Sequence, residues 1–188
     1  MSFIVTSTKK PNLDLNLLDK LISVITFNDI KPVICFTKLD LLNPVEAENI
    51  ANLKKYYEMI GIECVYNTDT AEIKRLITNK LVVLAGQTGA GKSSLLNYLD
   101  EDLDIKTDEI SEALGRGKHT TRHSEFIWLN EATYVLDTPG FSSLEIEELE
   151  AEELKEYFPE FLPLEQSCRF RGCVRLPPGL HIPPPVGL

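Results

Sequence analysis

The stretch Gly86-Gln87-Thr88-Gly89-Ala90-Gly91-Lys92-Ser93 decides how the rest of this sequence is interpreted. It follows an apolar run at 80–85, which is typical of a buried strand, and precedes residues 94–99, which are typical of the start of a helix. In that context the pattern G-x-x-x-x-G-K-[ST] predicts a phosphate-binding loop, or P-loop, at a helix N-terminus. A glycine-rich turn without function is the alternative interpretation.

Each part of this loop has a predicted role. Lys92 is predicted to reach the β- and γ-phosphates of a nucleotide and to take part in catalysis, and the Ser93 hydroxyl to bind Mg²⁺. Backbone N–H groups of the loop would surround the phosphates. The predicted nucleotide contacts are Gly86, Gln87, Thr88, Gly89, Ala90, Gly91, Lys92, Ser93 and Ser94.

Composition excludes several classes of protein. The 188 residues include 29 acidic and 19 basic side chains, so the net charge is −10. No global field then attracts nucleic acid, and we expect no binding to DNA and only local contacts with RNA. The sequence has neither a signal peptide nor an apolar run near the roughly 20 residues that span a bilayer, so we expect a cytoplasmic protein without membrane contact.

Apolar runs and helical periodicity alternate along the first half of the chain, which predicts an α/β fold. Strands are predicted at 2–7, 31–36, 62–66 and 80–85. Helices are predicted at 12–27, 44–59 and 71–78. Two more strands, at 125–129 and 133–136, are predicted to form a hairpin. Cys35 and Cys64 lie in two of these strands, and we expect buried free thiols there rather than a disulfide.

The tetrapeptide Thr37-Lys38-Leu39-Asp40 directly follows a predicted strand, where ligands bind in open α/β sheets. The Asp40 carboxylate can accept hydrogen bonds from the N1–H and 2-amino groups of guanine, and Lys38 would lie over the base. Thr37 stands where such motifs usually have Asn. Taken alone, the four residues could also form a surface turn.

Two further segments are predicted to contact nucleotide. Asn67 and Thr68 follow the strand at 62–66 and would form a second base-contacting loop. The polar segment 100–123 has the length of a functional loop, and a Thr hydroxyl there could bind Mg²⁺, with Thr120 and Thr121 both open as the ligand. A basic loop without function is the alternative for this segment.

The last motif is Asp137-Thr138-Pro139-Gly140, which follows the strand at 133–136. Asp137 is predicted to hold Mg²⁺ through water, and the Gly140 N–H to meet the γ-phosphate. The acidic residues 142–161 are predicted to be helical.

Near the C-terminus, Cys168 and Cys173 have the spacing of half a zinc site, and His181 is the later candidate ligand. Zinc requires four ligands in a structural site, so the site is incomplete.

The order of these motifs is unusual, because the base motif at 37–40 precedes the P-loop, the threonines and the segment 137–140. This order, with His119-Thr120-Thr121 and the Cys168 to Cys173 pattern, resembles the circularly permuted GTPases of the RsgA/YjeQ family. The resemblance implies a circularly permuted P-loop GTPase domain at 1–143. A short helical extension with a truncated zinc-binding-like tail follows at 144–188.

The resemblance also implies a function: hydrolysis of GTP to GDP and phosphate with Mg²⁺, in late maturation of the small (30S) ribosomal subunit, through contact with rRNA. Phe141 stands where many GTPases have a glutamine that positions water, so His119 and Thr121 are the candidate catalytic residues of that loop. The alternatives are a nucleotide-dependent binding switch with negligible hydrolysis and an ATP-using P-loop enzyme.

The family carries an N-terminal OB-fold and a C-terminal zinc domain on either side of the GTPase core. We expect the OB-fold to be missing here, since residue 1 falls about where the GTPase domain begins. The zinc pattern departs from the family too, because Arg175 stands where a His is expected and no cysteine follows Cys173. We therefore expect a truncated or altered chain.

Overall fold

The computed structural model describes residues 1–99, 125–130, 133–137 and 157–158 of the chain. Strands and helices alternate along them. The strands are β1 (Ser2–Ser7), β2 (Pro32–Thr37), β3 (Glu63–Tyr66), β4 (Leu81–Ala85), β5 (Glu125–Asn130) and β6 (Thr133–Asp137). The helices are α1 (Leu15–Phe27), α2 (Pro44–Met59), α3 (Thr70–Ile77) and α4 (Lys92–Leu99), with a short 3-10 helix at Leu39–Leu41.

The six strands form one sheet in the order β3-β2-β1-β4-β6-β5. β5 and β6 are antiparallel, and every other neighbouring pair is parallel. The predicted α/β fold and the predicted hairpin are therefore confirmed. On one side of the sheet the chain steps outward from β1 through β2 to β3. On the other side it goes from β4 to the edge strand β5 and returns to β6, which lies between them, so the strand order reverses between β1 and β4. Such a reversal is where ligands bind in open parallel sheets.

Capping residues determine where two of the helices begin. The Asp14 carboxylate accepts a hydrogen bond from Leu17 N at 3.1 Å, so α1 begins at residue 15. The prediction of a helix from residue 12 was wrong by one turn, because an aspartate in this position competes for the first free N–H groups. α2 has the predicted bounds and opens with a capping box between Asn43 and Glu46.

The core has two layers, one on each face of the sheet, because alternate residues of a strand point to opposite sides. Phe3 and Val5 pack with apolar residues of α3 and α4, whereas Ile4 packs with residues of α1 and α2. Cys35 belongs to the first layer and Cys64 to the second, so the two thiols lie on opposite faces. Both are buried free thiols, and burial raises the pKa of each to about 12.

Part of the acidic segment at 142–161 is described, namely Tyr157 and Phe158. The Tyr157 ring meets the Phe27 ring edge to face, with the ring centroids 5.4 Å apart. This contact places Tyr157 against the C-terminal end of α1.

At Gly86, where β4 passes into the P-loop, the backbone lies very close to β1. Gly86 has φ of +138°, and a Cβ built on it would lie 2.1 Å from Val5 O. That separation is far shorter than any real contact, and the obstacle is backbone. Only glycine therefore fits where β4 passes into the P-loop.

We expect Gly86→Ala to destabilise the protein more than Gly61→Ala, in urea unfolding of both variants. Gly61 also has a positive φ, of +90°, but a Cβ there would meet nothing within 4 Å. Gly61→Ala should cost about 1–2 kcal/mol from backbone strain alone. Gly86→Ala should cost about 1–3 kcal/mol more, because β1 and the P-loop must move apart. Equal losses in the two variants would contradict the close approach.

Candidate nucleotide-binding site

Three predicted nucleotide-binding segments follow strands at the same edge of the sheet. The base motif follows β2 and the P-loop follows β4, and β1 lies between these two strands. β6 is the other neighbour of β4, and its last residue, Asp137, is in register with Leu84. Because the carboxyl ends of parallel strands meet at one edge, the fold brings the base motif, the P-loop and Asp137 to the same edge of the sheet.

The lysine of the P-loop, Lys92, is buried against the loop's own backbone. The Lys92 side chain is 8% exposed, and its ammonium donates hydrogen bonds to Gly86 O at 2.9 Å and to Gln87 O at 3.1 Å. Ser93 is also buried, at the first turn of α4. A buried ammonium beside a helix N-terminus is a favourable environment for a phosphate, so these residues fit the predicted role.

The base motif is bonded directly to the P-loop. Thr37 is 2% exposed, and its hydroxyl lies 2.5 Å from Ala90 O, to which it donates a hydrogen bond; Thr6 O lies farther off, at 3.4 Å. The sequence indicated that Thr37 lacks the usual amide. The structure shows that its hydroxyl links the two loops.

Beyond Thr37 the chain turns sharply toward Asp40. Lys38 adopts the left-handed conformation, with φ of 59° and ψ of 35°, and the 3-10 helix at Leu39–Leu41 follows. Asp40 is exposed, and none of the described residues donates a hydrogen bond to its carboxylate. As far as the described residues are concerned, both carboxylate oxygens of Asp40 are therefore free to accept hydrogen bonds from a ligand.

The second predicted base loop follows β3. Asn67 N donates a hydrogen bond to Phe36 O at 3.0 Å, which extends the pairing of β3 with β2. Thr68 is exposed in the turn that leads to α3. Both residues lie at the same edge of the sheet as Asp40.

Several predicted site residues lie outside the described part of the chain. They are His119, Thr120, Thr121, Gly140, Cys168, Cys173 and His181. Asp137 is described by its backbone alone, which leaves Ser93 as the one predicted Mg²⁺ ligand with a described side chain. Among the residues that the structure describes, no three His, Cys, Asp or Glu side chains form a cluster that could hold a metal ion.

One segment that contacts the site carries no motif in the sequence, namely the loop between β1 and α1. Thr8 bonds to the base motif, and Lys38 Nζ donates a hydrogen bond to Lys10 O. Lys9 forms a salt bridge of 2.8 Å with Glu46 and, by this hydrogen bond, lowers the pKa of that carboxyl. The available signal was position, because these polar residues directly follow a strand at the edge where Thr37 follows β2.

A six-stranded sheet with a P-loop after β4 and a base motif after β2 defines a circularly permuted P-loop GTPase fold. Solved structures with this fold include the following two. The crystal structure of YloQ, described as a circularly permuted GTPase, has a TM-score of 0.71 and 36% sequence identity, and the match covers 94% of this chain and 56% of that chain. YjeQ from Thermotoga maritima has a TM-score of 0.76 and 29% identity, with coverage of 94% and 59%.

The sequence profile of the RsgA GTPase family matches residues 1–147, and the chain belongs to this family. The family resemblance drawn from the motif order is thus confirmed. A relative in Listeria monocytogenes serotype 4b, the small ribosomal subunit biogenesis GTPase RsgA 1, is 46% identical over 177 residues. A second relative, the small ribosomal subunit biogenesis GTPase RsgA of Shouchella clausii, is 46% identical over 178 residues.

These matches cover 93% and 92% of this chain, and 60% of each relative. The chain therefore spans about 60% of the length of the curated relatives that it matches.

We expect Thr37→Val to weaken the binding of GDP about tenfold, because Ala90 O would lose a buried hydrogen bond and the two loops would no longer be linked. Valine keeps the shape of threonine and removes only the donor. Isothermal titration with GDP and Mg²⁺ measures the effect.

The matched control is Thr78→Val, which removes a hydroxyl that donates to Lys74 O at 2.6 Å on an exposed helix end. This variant should bind GDP like the parent. Equal affinities for Thr37→Val and the parent would show that the link has no part in binding.

Proposed function

We propose that this chain binds GTP and GDP and hydrolyses GTP to GDP and phosphate with Mg²⁺ bound. The observation that carries the proposal is the hydrogen bond of Thr37 to Ala90 O, which holds a guanine-type base motif against a P-loop. A nucleotide can then contact both loops at once, with its base at one and its phosphates at the other. Membership of the RsgA GTPase family supports the same conclusion.

The phosphates would bind at the P-loop. The Lys92 ammonium is buried there, where it can neutralise phosphate charge more strongly than in water. Ser93 would hold Mg²⁺, together with Asp137 and either Thr120 or Thr121. When bound, Mg²⁺ would supply further positive charge for the oxygens that gain negative charge during hydrolysis.

Selection of guanine would depend on Asp40. A carboxylate accepts hydrogen bonds and cannot donate them, which matches the N1–H and 2-amino donors of guanine and not the edge of adenine. Lys38, two residues before it on the tight turn, would cover the base. Asn67 and Thr68, at the neighbouring strand end, would complete the base-binding surface.

Hydrolysis would involve the segment that contains His119 and Thr121. Phe141 offers no polar group to orient a water molecule, so His119 is the residue that we assign to this task. We expect slow hydrolysis by the isolated chain, with the small ribosomal subunit accelerating it by completing the site.

The cellular role that we propose is maturation of the small (30S) ribosomal subunit in the cytoplasm, through contact with the subunit and its rRNA. The relatives of this chain in Listeria monocytogenes and Shouchella clausii are named for biogenesis of that subunit. No helix in the described ranges has both the length and the apolar character needed to cross a membrane. Within this role, residues 1–143 would form the GTPase domain and residues 144–188 a C-terminal segment.

The first test is the affinity of the parent for GDP and ADP in the presence of Mg²⁺. We expect a preference for GDP that Asp40→Ala lowers about 100-fold, since two charge-assisted hydrogen bonds are lost. Lys92→Ala should weaken the binding of both GDP and ADP. Glu48→Ala, which removes an exposed carboxylate from α2, is the control and should bind as the parent does. Equal affinity of the parent for GDP and ADP would contradict the proposal.

The second test concerns hydrolysis. His119→Ala should lower the rate of GTP hydrolysis about 100-fold, measured with small ribosomal subunits present, without a change in GDP affinity. His123→Ala removes a second histidine from the same segment and should hydrolyse GTP at the parent rate. If His119→Ala keeps the parent rate, another group positions the water.

A further inference from the structure

We propose that Thr8 is a positioning residue for the base motif and thereby determines how strongly the site selects guanine. Thr8 lies outside every predicted site segment, in the loop between β1 and α1. The inference rests on the proposed function, because it concerns how Asp40 is presented to a guanine base.

The first argument is the set of hydrogen bonds that Thr8 makes. Its N–H lies 3.2 Å and its hydroxyl 2.9 Å from Thr37 O, so this carbonyl can accept from both donors of one residue. The hydroxyl is also 3.2 Å from Lys38 O. Thr8 is 8% exposed, so water offers little competition for these bonds. One hydroxyl therefore contacts two consecutive carbonyls of the base motif.

The second argument is the conformation of Lys38. A left-handed lysine is unfavourable and persists only where its surroundings hold it in place. Here the β1–α1 loop holds Lys38 by two hydrogen bonds. The Thr8 hydroxyl donates to Lys38 O, and the Lys38 ammonium donates to Lys10 O. Both the backbone and the side chain of Lys38 are thus held by the same loop.

The third argument is that this loop is itself anchored on two other sides. The salt bridge from Lys9 to Glu46 joins it to the first turn of α2. On the other side, a Cβ built on Gly89 would lie 3.7 Å from Pro11 Cδ, so Pro11 is next to the P-loop. Thr8 therefore belongs to a fixed support rather than to a free loop.

The consequence falls on Asp40, two residues after Lys38. Guanine is recognised when both carboxylate oxygens face its two donors, so a rotation of the backbone at Lys38 would misalign the pair. Binding of the phosphates depends on the P-loop and would not change. Loss of the Thr8 hydroxyl should therefore lower base selectivity rather than nucleotide binding in general.

The test compares Thr8→Val with the parent in the binding of GDP and of ADP. Valine keeps the branched shape and removes the hydroxyl, and we expect the affinity for GDP to fall about tenfold while that for ADP is unchanged. Thr8→Ser keeps the hydroxyl and should keep the parent ratio. Thr8→Ala and Thr8→Ser form a second pair that differs by the hydroxyl alone. Thr78→Val is the control for loss of a threonine hydroxyl elsewhere.

A second measurement needs no nucleotide. The amides of Leu41 and Leu42 donate to Lys38 O at 3.2 Å and to Leu39 O at 3.1 Å, and their hydrogen exchange reports whether the turn is held. We expect faster exchange of both in Thr8→Val and parent-like exchange in Thr78→Val.

The outcomes separate this inference from the proposed function. A parent that prefers GDP, with an unchanged GDP to ADP ratio or unchanged exchange in Thr8→Val, overturns the role of Thr8 and leaves the proposed function intact. A parent without a preference for GDP overturns the proposed function and, with it, the role of Thr8 in selecting guanine.

Discussion

The parallel pairing of β1 with both β2 and β4 is the constraint on which the candidate site depends. Neighbouring strands lie about 4.8 Å apart, so the loops that leave β2 and β4 start about 10 Å from each other, on either side of β1. That spacing suits a ligand with a base at one end and phosphates at the other. The same pairing explains how a permuted chain order can preserve the site. The edge of the sheet sets where the loops lie, whichever of them comes first in the sequence.

Thr37 is the residue at which these loops are joined. Its hydroxyl donates to the P-loop at Ala90, and its carbonyl accepts from Thr8 in the β1–α1 loop. Gly91 faces Thr37 with φ of +100°, and a Cβ there would lie 3.5 Å from Thr37 Oγ1, which is an ordinary contact. Glycine is needed at that position for its backbone conformation rather than for space. At Gly86 both reasons apply.

The sequence predicted the framework of this molecule well, because burial leaves a periodic trace. β1 and α2 have the predicted bounds, and the motif order identified the family. Contacts within the loops produce no periodic pattern in the sequence, so they could not be predicted. Lys10 and Lys38 both have positive φ, with values of 55° and 59°, although lysine gives no hint of that conformation. The bonds from Thr8 join residues about 30 positions apart, so no local pattern could reveal them.

The pairing of β1 with β4 also bears on how the chain folds. Where β1 pairs with β2, Ser2 is in register with Pro32, 30 residues away along the chain. Where β1 pairs with β4, Ser2 is in register with Val83, 81 residues away. Closing the longer loop costs only about 0.9 kcal/mol more in chain entropy, because this cost grows with the logarithm of length. Contacts between distant residues slow folding far more than they lower stability. Pairing β1 with β4 across this distance is therefore expected to slow the assembly of the P-loop edge, while it costs the finished sheet little stability.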